Sequence, residues 1–177
     1  LRTDRRGKGR AVRTGMGVAR GAIAIFADAD LSWPLEELVR FPALVEAGTP
    51  VVIGSREGIG ANRLGEPWYR HVMGRAFNRV VQRLALAGIE DSQCGFKAFR
   101  ADAAREIFRR QRIDGFGFDV EVLFLARRLG YAIQVVPLRW EHKHNSRVAP
   151  VRDTLTMLSD VVRVRVNARR RLYQLPG

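Results

Sequence analysis

Residues 22–34, AIAIFADADLSWP, carry an apolar, β-prone stretch straight into Asp28 and Asp30, two aspartates held one residue apart. Carboxylates at that spacing repel each other, and burying either costs several kcal/mol unless positive charge offsets it. Two readings follow. Aspartate is common where strands turn. Paired carboxylate oxygens also suit Mg²⁺ or Mn²⁺, and a Mg²⁺ site typically takes one or two carboxylates plus substrate phosphates. Other residues allow less. Asp119 and Glu121 open an apolar segment, where carboxylates serve as helix-start caps or as site groups. His71, His142 and His144 have no metal spacing with a third ligand, and Cys94, beside Gly95, reads as packing.

Elements must bring these residues together. The segment 7–21 has Val12, Met16 and Ala19 at helical spacing and leads into a strand at 22–27. Pro34 at a first helical position, with Glu36 and Glu37 behind it, starts a helix to about Ala47. PVVIGSR (50–56) is a short apolar strand fit for burial on both faces, as in a parallel sheet. The alternation of helix and strand indicates an α/β fold with right-handed crossovers. A Gly-rich loop at 57–67 precedes a long amphipathic helix at 68–88, with Val72, Ala76, Val80 and Leu84 at four-residue steps. Then come a polar loop and short strand (89–100), a helix at 102–110, an apolar helix from Asp119, and a strand at 131–140 whose Pro137 argues for an edge. The last segment, 151–174, reads as a helix with Arg152, Thr156, Asp160, Arg163, Asn167 and Arg170 on one stripe and Leu155, Leu158, Val161 and Val162 opposite.

The chain has 177 residues, 46% of them hydrophobic, enough for one sizeable core. A single cysteine excludes an intramolecular disulfide framework and a Cys-rich zinc site, and suits a reducing compartment. No apolar run approaches a bilayer span. The net charge of +13 is concentrated at the two ends, within 1–20 and 139–177. That pattern fits phosphate handling or an anionic membrane surface as well as nucleic acid. Against a nucleic-acid module stand the lack of aromatic-basic interleaving and a carboxylate-rich centre.

The motifs GKG, FADAD, VVIGSR, DSQCGFKAF, GFDVEVLFLARRLG and the late W…NSR resemble, in order and spacing, the family 2 glycosyltransferases. Within that family they are most similar to the polyprenyl-phosphate (dolichyl-phosphate) β-glucosyltransferases, with the mannosyltransferases next. Gln93-Cys94-Gly95-Phe96-Lys97 favours the glucosyl branch. The resemblance implies a GT-A α/β sandwich that binds nucleotide-sugar and metal at the carboxyl ends of its strands, in keeping with the general rule for open sheets. It implies inverting transfer of glucose from UDP-glucose, or of mannose from GDP-mannose, to polyprenyl phosphate at the cytoplasmic face of a membrane. It assigns Mg²⁺ or Mn²⁺ to Asp28 and Asp30, the donor phosphates to Lys8, the sugar side to Asp91 and Gln93, and an orienting carboxylate to Asp119. Arg56, Arg70 and Arg147 fall where it places acceptor-phosphate contacts, and guanidinium suits phosphate bidentately. Ser32 stands where some mannosyl relatives carry a glutamine ligand. The family's N-terminal strand, with a Pro-x-Tyr-Asn-Glu-like start, has no counterpart here. Residues 1–150 are therefore expected to form the C-terminal portion of a catalytic domain, and 151–177 a basic amphipathic helix lying on the bilayer or packing on the core.

Overall fold

The structure is a computed structural model and describes residues 7–30, 32–64, 68–141 and 150–174. In chain order the elements are α1 (Lys8–Val18), β1 (Ile23–Ala27), α2 (Glu37–Glu46), β2 (Val51–Ser55), β3 (Asn62–Leu64), α3 (Trp68–Leu84), β4 (Phe96–Arg100), α4 (Ala101–Arg110), α5 (Phe118–Arg128), β5 (Ile133–Pro137), β6 (Arg139–Glu141) and α6 (Pro150–Arg169). The four-stranded sheet runs β1-β4-β2-β5, and β3 pairs with β6 in a second, two-stranded sheet.

The sheet is mixed. β2 and β5 are parallel, as a buried apolar strand suggests, but β4 runs antiparallel between β1 and β2. Pro137 ends β5 at an edge of this sheet, where its missing N–H breaks no ladder. The Gly-rich loop holds one short strand, β3, which its composition hides.

Side-chain alternation splits the core into two layers. On one face Ala24, Phe26, Val51, Ile53 and Phe99 meet apolar residues of α1, α3, α4, α5 and α6. On the other, Val52, Phe96, Ala98 and Val136 meet Trp33, Phe41 and Val45. Continued past the end of β1, the same period turns Asp28 toward the face that carries α1 and α5.

Two helices present different faces from those expected. In α3 the buried residues are Phe77, Asn78 and Val81, whereas Val72, Val80 and Leu84 are exposed. A run at four-residue steps drifts about 40° per step around a helix, so it makes a poor core stripe over four turns. In α6, Val161 and Val164 are buried, with Met157 and Ala168 packed beside them, while Leu155 and Val162 face out. Asp160, expected on the polar stripe, is buried because its carboxylate accepts the Gly117 N–H at the start of α5. A carboxylate there complements the helix dipole. Gly117 is required for the approach: a Cβ on it would lie 2.3 Å from Asp160 Cβ. The helix thus packs on α3 and α5 along one side and leaves the other side open.

Candidate active site

Lys8 opens α1 between two glycines, and the second explains the spacing. A Cβ on Gly9 would lie 2.5 Å from the Ile113 carbonyl oxygen, so only glycine lets the helix start press against the 113–118 segment. Lys8 Nζ is thereby held 2.7 Å from Asp28 Oδ1 and 3.8 Å from Asp119 Oδ2. Burial pulls the Lys8 ammonium down, but the Asp119 and Asp28 carboxylates pull harder the other way, leaving it above the ordinary lysine value.

Asp119 does not cap α5, whose N-cap is Gly117. It points inward and is 1% exposed. Its Oδ1 accepts from Lys97 Nζ at 2.5 Å, and the same ammonium donates to the Cys94 carbonyl at 2.7 Å. Lys97, missed as a site residue in the sequence, is 0% exposed and lies over the Phe26 ring. One signal was available: a lysine among the apolar residues of FKAFR needs a buried anion. Glu121 goes elsewhere. Its Oε2 accepts the Arg112 and Ile113 amides and its Oε1 accepts the Tyr173 hydroxyl, so it locks α5 to the turn after α6.

The loop 91–95 joins this group to a second one. Asp91, fully buried, accepts from the Arg56 amide at 2.9 Å and from Arg56 Nε and Nη2 at 2.8 and 2.9 Å. Asp91 Oδ1 also accepts the Gln93 amide at 3.2 Å, an Asx-type turn. Gln93 Nε2 is buried with no hydrogen-bond partner. Arg56 further lies over the Trp140 ring at 5.5 Å. It is bound into the protein, with its fork on Asp91. Cys94 packs against the backbone of Gly54, and burial pushes its thiol up to about 11.

Asp28 and Asp30 differ in setting. The Asp28 amide donates to the Gly95 carbonyl at 2.7 Å, and its carboxylate rests on the Gly95 α-carbon. Asp30 is exposed, with Oδ1 accepting the Ser32 amide at 3.3 Å. Among the described residues no three His, Cys, Asp or Glu side chains converge as a metal cage. The donor set is one or two carboxylates open to solvent, which fits a hard cation completed by phosphate oxygens. Ser32 Oγ, at the position of the mannosyl-type glutamine, is buried without a partner. Arg70 lies in the first turn of α3, with its side chain outside the described residues, and Arg147, His142 and His144 also fall outside them.

A family model, glycosyl transferase family 2, matches residues 1–108. The chain belongs to glycosyl transferase family 2. It is 33% identical over 90% of its length to a dolichyl-phosphate beta-glucosyltransferase of Dictyostelium discoideum, covering 51% of that protein. To the one of Saccharomyces cerevisiae it is 32% identical over 93% of its length, covering 53%. The family 2 chain thus spans about half the length of the curated relatives it matches. Among solved structures, glucosyl-3-phosphoglycerate synthase of Mycobacterium tuberculosis with phosphoglyceric acid superposes with a TM-score of 0.64 at 20% identity, over 99% of this chain and 58% of that one. Its complex with Mn²⁺, uridine-diphosphate-glucose and glycerol 3-phosphate gives 0.60 at 19%, over 98% and 57%. This likeness shows the GT-A fold.

Proposed function

We propose that the protein carrying this chain moves glucose from UDP-glucose to a polyprenyl phosphate such as dolichyl phosphate, with inversion. The observation that carries this reading is the similarity to dolichyl-phosphate beta-glucosyltransferases across nine-tenths of the chain. Asp30, with Asp28, would hold Mg²⁺ or Mn²⁺. The bound ion supplies charge screening for the diphosphate leaving group.

The chain's own residues do the rest. Lys8 can turn its ammonium from Asp28 to a donor phosphate oxygen, with the Asp119 carboxylate 3.8 Å from Nζ keeping it charged. Gln93 Nε2, lacking a protein partner, donates to a hydroxyl of the sugar. Arg56 acts through Asp91 as a positioning residue that fixes the 91–95 loop, and contact with the acceptor phosphate is assigned to Arg70 and Arg147. The acceptor needs no strong base, because a phosphate monoester with a second pKa near 6 is largely ionised at neutral pH. Its oxygen bonds to the anomeric carbon as the carbon–oxygen bond to the diphosphate breaks, and the electron pair leaves with UDP. A single in-line displacement inverts the centre.

No described helix is long and apolar enough to cross a membrane. The open side of α6 nonetheless presents Leu155 (63% exposed) and Val162 (53% exposed) at helical spacing, with Arg163, Arg165 and Arg169 around them. On α3, Trp68 is 78% exposed and Val72 lies one turn on. Apolar residues rimmed by arginine suit an anionic bilayer surface, and we place the reaction at its cytoplasmic face.

The test is incubation with dolichyl phosphate and either UDP-glucose or GDP-mannose, with and without Mn²⁺, followed by separation of the lipid product. Metal-dependent formation of glucosyl lipid is expected, lost in Asp30→Ala with the fold intact. Faster transfer from GDP-mannose would replace the donor, and donor hydrolysis without a lipid product would overturn the acceptor.

A further inference from the structure

A cavity of about 460 Å³ opens between α1, the end of α4 and the turn after α6. Arg13, Arg109, Arg110 and Arg112 line it, together with Leu172 and Tyr173, and it shares no lining residue with the Lys8–Asp28–Asp119 cluster. Four guanidinium groups around one hollow repel one another, so their arrangement has to be held from outside. Arg13 Nη1 donates to the Gln111 carbonyl at 2.8 Å. Arg112 Nε and Nη2 both donate to the Leu172 carbonyl, at 3.0 and 2.7 Å. The frame behind them is rigid, since buried Glu121 takes the Arg112 amide on one oxygen and the Tyr173 hydroxyl on the other.

Main-chain carbonyls orient a guanidinium without neutralising it. Among the described residues the acids paired with these guanidinium groups are Asp114, on Arg13, and Glu106, on Arg109 and Arg110. Four guanidinium groups thus meet two carboxylates directly, and among the described residues no carboxylate pairs with the Arg112 guanidinium, Glu121 taking its amide instead. With Nε and Nη2 fixed on the Leu172 carbonyl, the remaining Nη hydrogens of Arg112 form a preset planar edge that suits the oxygens of a phosphate group.

We propose that this cavity is a second anion site, separate from the transfer site, which binds a phosphate-bearing ligand: either the headgroup of an anionic lipid or a soluble phosphate ester. The proposal does not rest on the transferase reading. A bound phosphate would bridge α1, α4 and the turn after α6, fastening the end of that helix to the catalytic layer.

The experiment uses the full chain, with chelator present so that metal-dependent binding at Asp28 and Asp30 is silent. Pyrophosphate is titrated by calorimetry, and phosphatidylcholine vesicles with and without phosphatidic acid are co-sedimented. The variant is Arg13→Gln with Arg109→Glu, both partly exposed. The control, Arg83→Glu with Arg128→Glu, removes charge from the ends of α3 and α5. Wild type is expected to bind at least one probe, with binding weakened about tenfold or more in the variant and little in the control. Pyrophosphate binding identifies a soluble ester, and vesicle binding that requires phosphatidic acid identifies a headgroup. Binding of neither probe, or equal loss in variant and control, overturns the site. Melting curves for all three proteins separate lost binding from lost folding, and Arg112→Lys, which keeps the charge but not the fork, should weaken binding at unchanged net charge.

Discussion

Lys97 Nζ and Asp119 Oδ1 lie 2.5 Å apart with both side chains sealed from solvent, one on the second residue of β4 and the other in the first turn of α5. The pair tethers α5 to the sheet, and by holding Oδ1 it fixes the carboxylate whose other oxygen, Oδ2, lies nearest Lys8. Lys97→Met leaves a buried carboxylate whose remaining cation, Lys8, is 3.8 Å from the other oxygen. Breaking a buried pair from one side costs about 3–5 kcal/mol. Urea unfolding should show that loss for Lys97→Met and for Asp119→Leu, and a smaller loss for the double variant, where no charge is stranded. Single variants as stable as wild type would mean the pair contributes nothing to the fold.

Arg56 and Asp91 make a different prediction from the one the sequence suggests. Arg56→Ala removes the guanidinium and its two hydrogen bonds from a fully buried carboxylate, leaving the amides of residue 56 and Gln93 on Asp91, and should destabilise by about 3–5 kcal/mol. Arg56→Lys should fall between, keeping the charge but losing the fork. Because the Asp91 carboxylate also holds the Gln93 amide, the loosened loop should raise the KM for the nucleotide-sugar. A rise in the acceptor KM alone, without loss of stability, would restore Arg56 to the acceptor phosphate.

The strand-end aspartates, the order of elements and the paired motifs were all legible in the sequence because each depends on local pattern: a period of two, a glycine stop, a carboxylate where a strand ends. What was not legible depended on partners far along the chain. Nothing near Lys97 says that Asp119, on another element, will reach it, and nothing near Asp160 says that it will take the Gly117 amide. The charge of Arg56 is visible locally, but the buried Asp91 that engages its guanidinium is not. The outward stripe of α3 shows the same limit: apolar spacing identifies a helix, but Phe77 and Val81, through what they pack against, decide which side is buried.

Glu121 gives the fold a pH dependence. Burial raises its carboxyl above the ordinary value of 4.5, outweighing the Ile113, Tyr173 and Arg112 hydrogen bonds that favour ionisation. The folded state therefore holds this proton more tightly than the unfolded chain does. The Glu121 contribution is fully present below 4.5 and is lost as pH rises through the higher folded value. Glu121→Gln carries no titrating group and still offers an oxygen to the Ile113 amide, so its stability should fall less with rising pH over that window. Parallel slopes for the two proteins in melting-temperature scans would remove Glu121 from the pH response.

Gly95→Ala tests whether the seat of Asp28 is specific. A Cβ on Gly95 would lie 1.9 Å from Asp28 Oδ2 and 2.1 Å from its Cγ, far inside contact distance. Gly95 does not have a left-handed φ, so alanine suits its backbone, and the nearest atoms in conflict all belong to the Asp28 carboxylate. The carboxylate has to swing off the Gly95 α-carbon, away from its 2.7 Å contact with Lys8 and from the place where it would share a cation with Asp30. Overpacking of this kind costs about 1–3 kcal/mol. Metal-dependent UDP-glucose binding, read by calorimetry, should weaken by about tenfold or more, the worth of one charge-assisted contact. The double variant Gly95→Ala with Asp28→Ala separates the two effects. It removes the clashing atoms, so unfolding experiments should show stability recovered relative to Gly95→Ala, while donor binding stays weak because the carboxylate is gone. Recovery of both would show that Asp28 is dispensable to donor binding, and recovery of neither would place the conflict in the backbone around Gly95 instead of in the Asp28 side chain.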